Sequence, residues 1–343
     1  MANTTPKWRG YKMIKLTDLY KQLNQLSNTK PEKGVRFSAC LIPGYKKHRL
    51  AKDVNGYPCL LIATKDSARN RPIPVKLEHL RVLYDVDCRI NHNGLLEENR
   101  FTVICCTDQD SQMQDYFLRI SGTIISAVGN APTHAKVSKA VDNLVELFRV
   151  IMESPKKSVQ GLWAELLIIA LSKNPTELVE AWHHSPNDKY DFSLGNQRVE
   201  VKSCTSKLRQ HHFSLEQLRP INDIEVLVAS ILVERSATGT SLAELADKIR
   251  SKLSKQPELL LYLDQIIGVT LGNGWKSASE DRFDLQLGKK SLQFFLSKEI
   301  PCVEAKLPKQ VSDVHFKVDF TDIPNKDKKS LIKQGQLFEA VAF

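Results

Sequence analysis

A chain of 343 residues, 42% hydrophobic and 26% charged, has the composition of an ordinary globular protein and the length for two or three domains, which excludes a disordered segment or one small core. Its formal net charge of +10 and pI near 9.1 favour a polyanionic partner, because a basic surface attracts phosphates and releases their counterions. The seven cysteines, at 40, 59, 88, 105, 106, 204 and 302, follow no CxxC or CxxxxC spacing, so neither a zinc knuckle nor a disulfide framework is expected, and the thiols read as reduced.

The opening residues carry no apolar leader. Between residues 35 and 106, short β-rich runs at 58–62, 75–84 and 101–106 alternate with turn clusters at Asn55-Gly56 and 91–94, the pattern of a small, mostly antiparallel module. Helical periodicity follows over 113–128 and again over 133–151, where Val137, Ala140, Val141, Leu144, Leu147 and Phe148 form one stripe. Ser154-Pro155 opens a third helix, 156–172, with Val159, Leu162, Trp163, Leu166 and Ala170 on its buried face. Its apolar run, 162–171, is too short for a bilayer and is interrupted by Glu165, so no membrane partner and a cytoplasmic location are expected.

The stretch YDFSLGNQRVEVKS, residues 190–203, reads as a β-hairpin turning at Gly195-Asn196. Leu194 then faces Gln197, and three steps outward Asp191 faces Glu200, with Cβ atoms about 4.5–5.5 Å apart. Lys202 shares their face, while Val199, Val201, Tyr190, Phe192 and Leu194 take the other. Two directly opposed acids destabilise a hairpin unless a cation lies between them, so the arrangement points to a divalent-metal site. Beyond it the sequence suggests a short helix at Ser214, a doubly buried strand over 226–233 and a helix near 241–253. A second hairpin around Gly288-Lys289-Lys290, a strand near 314–320 and a solvated tail or terminal helix complete the reading.

The order helix with Glu165, strand with Asp191, strand with Glu200 and Lys202, helix, strand is the α-β-β-α-β core of PD-(D/E)XK nucleases, and that core leaves room for one more strand between Ala170 and Lys189. With QGLWAEL at 160–166, Tyr190-Asp191-Phe192 and Val199-Glu200-Val201-Lys202-Ser203, the chain resembles the bacterial PD-(D/E)XK motif proteins found among restriction and phage-defence genes. One departure is that Pro186 is followed by Asn187; Asp188 is nearby but would point to the opposite face from Asp191. The fold class so implied is α/β (α+β), a restriction-endonuclease-like core with a mixed central sheet flanked by helices. The expected organisation is a β-rich module (1–110), a helical connector (111–153), the nuclease core (154–238) and an α+β extension (239–343).

The resemblance implies a metal-dependent DNA endonuclease with Glu165, Asp191, Glu200 and Lys202 catalytic. Asp191, Glu200 and the Val201 carbonyl would hold Mg²⁺, for which Mn²⁺ can substitute. Lys202 would position the attacking water or offset charge at the phosphate, and Glu165 would complete the shell directly or through water. Ser203, Thr205 and Gln217 are candidate phosphate contacts. His183-His184 and His211-His212 are weaker candidates, since adjacent residues on an extended chain point opposite ways. The basic runs 46–49 and 69–71 are candidate DNA contacts, or simply solvated surface. The implied partners are DNA, other restriction or defence subunits and a second copy in a homodimer. A non-cleaving DNA-binding or assembly subunit is the alternative, and a nuclease for RNA a third.

Overall fold

A computed structural model of the chain describes residues 16–26, 37–66, 72–92, 95–150, 157–183, 185, 188–205, 208–220, 223–274, 278, 280–304, 308 and 310–343. Contacts divide it into two compact units, Met1–Phe148 and Arg149–Phe343. His184, Pro186, Asn187, 69–71 and 93–94 lie outside the described residues.

In the first unit, α1 (Leu16–Leu26) precedes β1 (Phe37–Leu41), β2 (Arg49–Asp53), β3 (Pro58–Ile62), β4 (Val75–Lys76), β5 (Leu80–His92) and β6 (Leu95–Cys106). These run in the order β1-β2-β3-β6-β5-β4, and β1 also pairs in parallel with β5, so five strands close on themselves. Closure leaves an inner face packed by residues such as Ala39, Leu61, Ile90, Phe101 and Val103. Strand β3 is buried on both faces because Cys59 and Leu61 point into this core while α2 (Ser111–Val128) packs over the strand. Asp110 caps α2, its carboxylate accepting from the Gln112 and Met113 N–H groups, and α3 (His134–Val150) follows.

Two expectations are corrected in this unit. Cys59 and Cys105 face each other across β3 and β6, and their sulfurs are bonded; the other five cysteines form no disulfide. Spacing failed to indicate this pair because strand register, and not sequence proximity, brings the two together. The basic run 46–49 also divides: Lys46 and Lys47 are not buried, whereas His48 and Arg49 are. The His48 ring meets the Gly129 carbonyl and the Ala63 N–H, and Arg49 pairs with Glu97 at 3.2 Å.

The second unit opens with α4 (Val159–Leu171) and α5 (Pro175–Ala181), then the hairpin β7 (Phe192–Leu194) and β8 (Gln197–Cys204). Next come β9 (Gln210–Ser214), α6 (Leu215–Leu218), β10 (Glu225–Leu232), β11 (Arg235–Ser241), α7 (Leu242–Lys252) and α8 (Pro257–Leu271). The unit closes with β12 (Arg282–Phe283), α9 (Leu285–Ser291), β13 (Gln293–Leu296), β14 (His315–Asp319), α10 (Lys328–Leu331) and α11 (Gln336–Val341). The central sheet has the order β13-β10-β8-β7, with β8 and β10 parallel and both outer pairs antiparallel. Helix α4 packs on β8 and against α7, and the ribbon of β9 and β14 covers a core containing Phe213, Val228, Phe295 and Phe320. The result is the mixed α+β class expected. Among the described residues, no helix is long and apolar enough to cross a membrane.

Two further elements differ from expectation. The segment expected to add a strand between Ala170 and Lys189 is helical over Pro175–Ala181 instead, because Pro175 starts α5 and Leu178 and Val179 are buried; among the described residues an isolated bridge, Trp182 with Phe192, joins it to the hairpin. Around Gly288 there is no hairpin turn but α9, capped by the Asp284 carboxylate. Glycine is needed there for close approach, since a Cβ would lie 2.8 Å from Leu167 Cδ2 and 3.1 Å from the Trp163 ring.

Candidate metal centre

Helix α4 begins where the Ser158 hydroxyl accepts from the Gly161 N–H, and from Leu162 to Ile169 every residue is buried. Glu165 is the one carboxylate in that apolar run and is 2% exposed. An ionised acid so placed needs partners, and it has three. Oε2 accepts from Trp182 Nε1 at 2.7 Å and lies 3.1 Å from His183 Nε2; Oε1 accepts from Lys157 Nζ at 2.9 Å.

The hairpin has the register read from the sequence, with Leu194 opposite Gln197 and Phe192 opposite Val199. Gly195 turns it at φ +53° while Asn196 keeps negative φ, the combination of a type II′ turn. Asp191 stands just before β7, one step further along this register, and is buried. Its Oδ2 accepts from the Val201 N–H at 2.7 Å, and its Oδ1 meets Lys157 Nζ at 2.5 Å. Glu200 Oε1 lies 2.7 Å from Lys202 Nζ and accepts from Gln217 Nε2 at 2.8 Å. Gln217, on α6, also donates to the Lys189 carbonyl, and the Lys202 ammonium sits 4.9 Å above the Phe213 ring.

The structure therefore brings Glu165, Asp191, Glu200, Lys202 and Gln217 into one cluster, its acids buried and its Lys202 and Gln217 half-buried. The details differ from the simple picture of Asp191 and Glu200 sharing one ion: Asp191 shares its cation with Glu165, and Glu200 has Lys202. Val201 contributes its N–H to Asp191. Ser203 accepts from Gln160 Nε2 at 3.0 Å, and Thr205 is exposed beyond the end of β8. His183 joins the cluster, whereas buried His211 hydrogen-bonds Ser230 and His212 is exposed. Sequence reasoning missed Lys157 and Trp182. Glu165 within an apolar helix signals that a cation must exist, but nothing in the sequence separates Lys157 from Lys156.

Three acids and two lysines in a buried cluster leave an excess of negative charge, and its protonation follows. Burial would raise the Glu165 carboxyl, but the His183 hydrogen bond and the Lys157 ammonium offset it and hold the group at about 2. Burial and then the Glu165 charge push Asp191 up, against Lys157. Burial and then the Asp191 charge raise Glu200 to about 8, although Lys202 opposes this. Burial disfavours charge on Lys157, yet Asp191 and Glu165 hold its ammonium well above the usual range. The short contact between Lys157 and Asp191, with the Val201 N–H on the other Asp191 oxygen, is that of an ammonium with a carboxylate, which leaves Glu200 as the acid that takes the extra proton.

These residues fit a divalent cation. Oxygen donors suit Mg²⁺ or Mn²⁺, and Glu165 Oε1 and Asp191 Oδ1 already converge on a single positive charge. Potential ligand atoms of Glu165, His183 and Asp191 all lie within 4.8 Å of one another.

The family model described as "Putative PD-(D/E)XK family member, (DUF4420)" matches residues 16–321, both units included. No curated protein matches the chain, and no solved structure does.

Proposed function

The chain belongs to this PD-(D/E)XK family, and from that premise we propose that it is a metal-dependent DNA endonuclease of a restriction or phage-defence system, with Mg²⁺ as cofactor and Mn²⁺ as substitute. The observation that carries the reading is the convergence of Glu165 Oε1 and Asp191 Oδ1 on one cation position beside the Glu200–Lys202 pair.

Glu165 and Asp191 would hold the cation, with Glu200 adjacent. When bound, the ion supplies water activation and charge stabilisation for phosphodiester hydrolysis. The remaining work belongs to the chain. Lys202 offsets charge on the attacked phosphate, and Gln217 holds Glu200 and Lys202 in register. Trp182, His183 and the Val201 N–H fix the outer oxygens of the two acids, so the inner oxygens need no reorganisation to bind. Ser203 and Thr205, at and just beyond the end of β8, meet the nucleic-acid backbone. The first unit carries 22 Lys and Arg against 14 Asp and Glu, a net +8 of the chain's +10, which supports a role for it in holding DNA. With one site per chain, cutting both strands takes either two paired copies or successive nicks by one, and pairing in a homodimer is the arrangement we propose.

Incubating the purified chain with plasmid DNA and Mg²⁺ or Mn²⁺ tests the reading. Cleavage is expected for the native chain and lost in Lys202→Ala, whose circular dichroism stays native; activity surviving in that variant refutes the assignment, and a matched RNA substrate identifies the nucleic acid cut.

One observation favours a second reading, a non-cleaving DNA-binding or assembly subunit: Lys157 and Lys202 already neutralise most of the acid cluster from within. Calorimetric titration with Mn²⁺ in the presence of DNA separates the two, since a non-cleaving subunit shows no metal binding.

A further inference from the structure

We propose that Lys157 is an internal counter-ion standing in the divalent-cation position, and that metal loading proceeds by expelling its ammonium. This rests on the nuclease reading and adds a residue to it. Each of the two converging acids has one oxygen committed to the protein: Glu165 Oε2 to Trp182 and His183, Asp191 Oδ2 to the Val201 N–H. A cation bridging the acids must therefore use Glu165 Oε1 and Asp191 Oδ1. Those are the oxygens that Lys157 Nζ contacts at 2.9 and 2.5 Å. Two cations sharing the same pair of buried oxygens repel strongly, because little water lies between them to screen the charge. The acids are 3% and 7% exposed at their side chains and are held by α4 and the hairpin, whereas the Lys157 side chain is 22% exposed and its backbone precedes the helix cap at Ser158. Of the three groups that meet at this position, Lys157 is the one with a route out.

Metal affinity is then the difference between two cations at one position, and metal-free integrity and metal affinity trade against each other through this side chain. Removing the ammonium leaves the acids unbalanced and hungrier for a divalent ion.

The experiment is calorimetric titration of Mn²⁺ into the chelator-treated full chain as wild type, Lys157→Met and Lys157→Arg. Lys157→Met is expected to bind about tenfold or more tightly than wild type, as removal of a buried competing charge requires, with Lys157→Arg close to wild type. Equal or weaker binding by Lys157→Met overturns the proposal and leaves the nuclease reading standing, whereas absence of Mn²⁺ binding in all three chains overturns both. A measurement on the wild type covers failure of the variant to fold: amine acylation mapped by mass spectrometry. Lys157 is expected to become more reactive when Mn²⁺ is added, and unchanged or reduced reactivity counts against expulsion.

Discussion

Glu200→Gln should stabilise the metal-free protein at alkaline pH and leave it nearly unchanged at acid pH. The glutamine keeps the shape of the side chain and an oxygen for Lys202 and Gln217, but it removes a carboxyl that burial and the Asp191 charge raise from 4.5 to about 8. A raised acid makes the folded state bind its proton more tightly than the unfolded chain does. Its contribution to stability is therefore fully present below pH 4.5 or so and is lost as pH climbs through about 8. At about 1.4 kcal/mol per pH unit the displacement corresponds to ~5 kcal/mol, of which about 3–4 kcal/mol develops between pH 5 and pH 9. The assay is urea unfolding in chelator across pH 5 to 9 for both chains. Near pH 5 the two should agree within about 1 kcal/mol, and near pH 9 the variant should be the more stable by about 3 kcal/mol or more. A difference that stays flat over this range refutes the assignment of the excess proton to Glu200.

Three other substitutions probe the surroundings. Trp182→Phe retains the ring but drops the N–H on Glu165 Oε2, and should cost about 1–3 kcal/mol in urea unfolding while weakening Mn²⁺ binding in calorimetry. Gly288→Ala pushes a methyl against Leu167 and Trp163 and should cost about 1–3 kcal/mol, read as a lower denaturant midpoint at unchanged slope. Asp264→Ala leaves the Arg250 guanidinium, whose side chain is 12% exposed, without its partner on α8 and should cost about 3–5 kcal/mol by the same assay.

The hairpin was legible because local chemistry fixes it: Gly195 supplies the positive φ of a two-residue turn, and once the turn is set the period-2 rule dictates that Asp191 and Glu200 occupy matching positions. Helix α4 was legible from its apolar run, but its start was not: it begins at Val159 behind a Ser158 cap, later than the Lys156 start expected after Ser154-Pro155. What escaped reading is what long-range packing decides. Strands β9 and β14 pair Gln210 with Asp319 across 109 residues, and nothing in either segment names the other. Gly288 resembled a turn glycine, yet its role is to admit the Trp163 ring. At the site, the residue types were evident and their partnering was not. Which lysine balances Glu165 depends on how the chain ahead of α4 approaches the hairpin, and no periodicity encodes that approach.

The division of labour among oxygens gives the cluster its functional logic. A buried acid satisfied by the protein on both oxygens would be inert, and one satisfied on neither would be protonated or would unfold the region. Glu165 and Asp191 are each held on one side by groups that cannot leave, the Trp182 indole and the Val201 main chain, and on the other by the ammonium of Lys157. Helix α4 and the hairpin thus meet at two half-satisfied carboxylates whose separation is set by rigid donors. On the proposed reading, a cation entering there would find its ligands already oriented, so that charge and size would select it and not the cost of assembling the site.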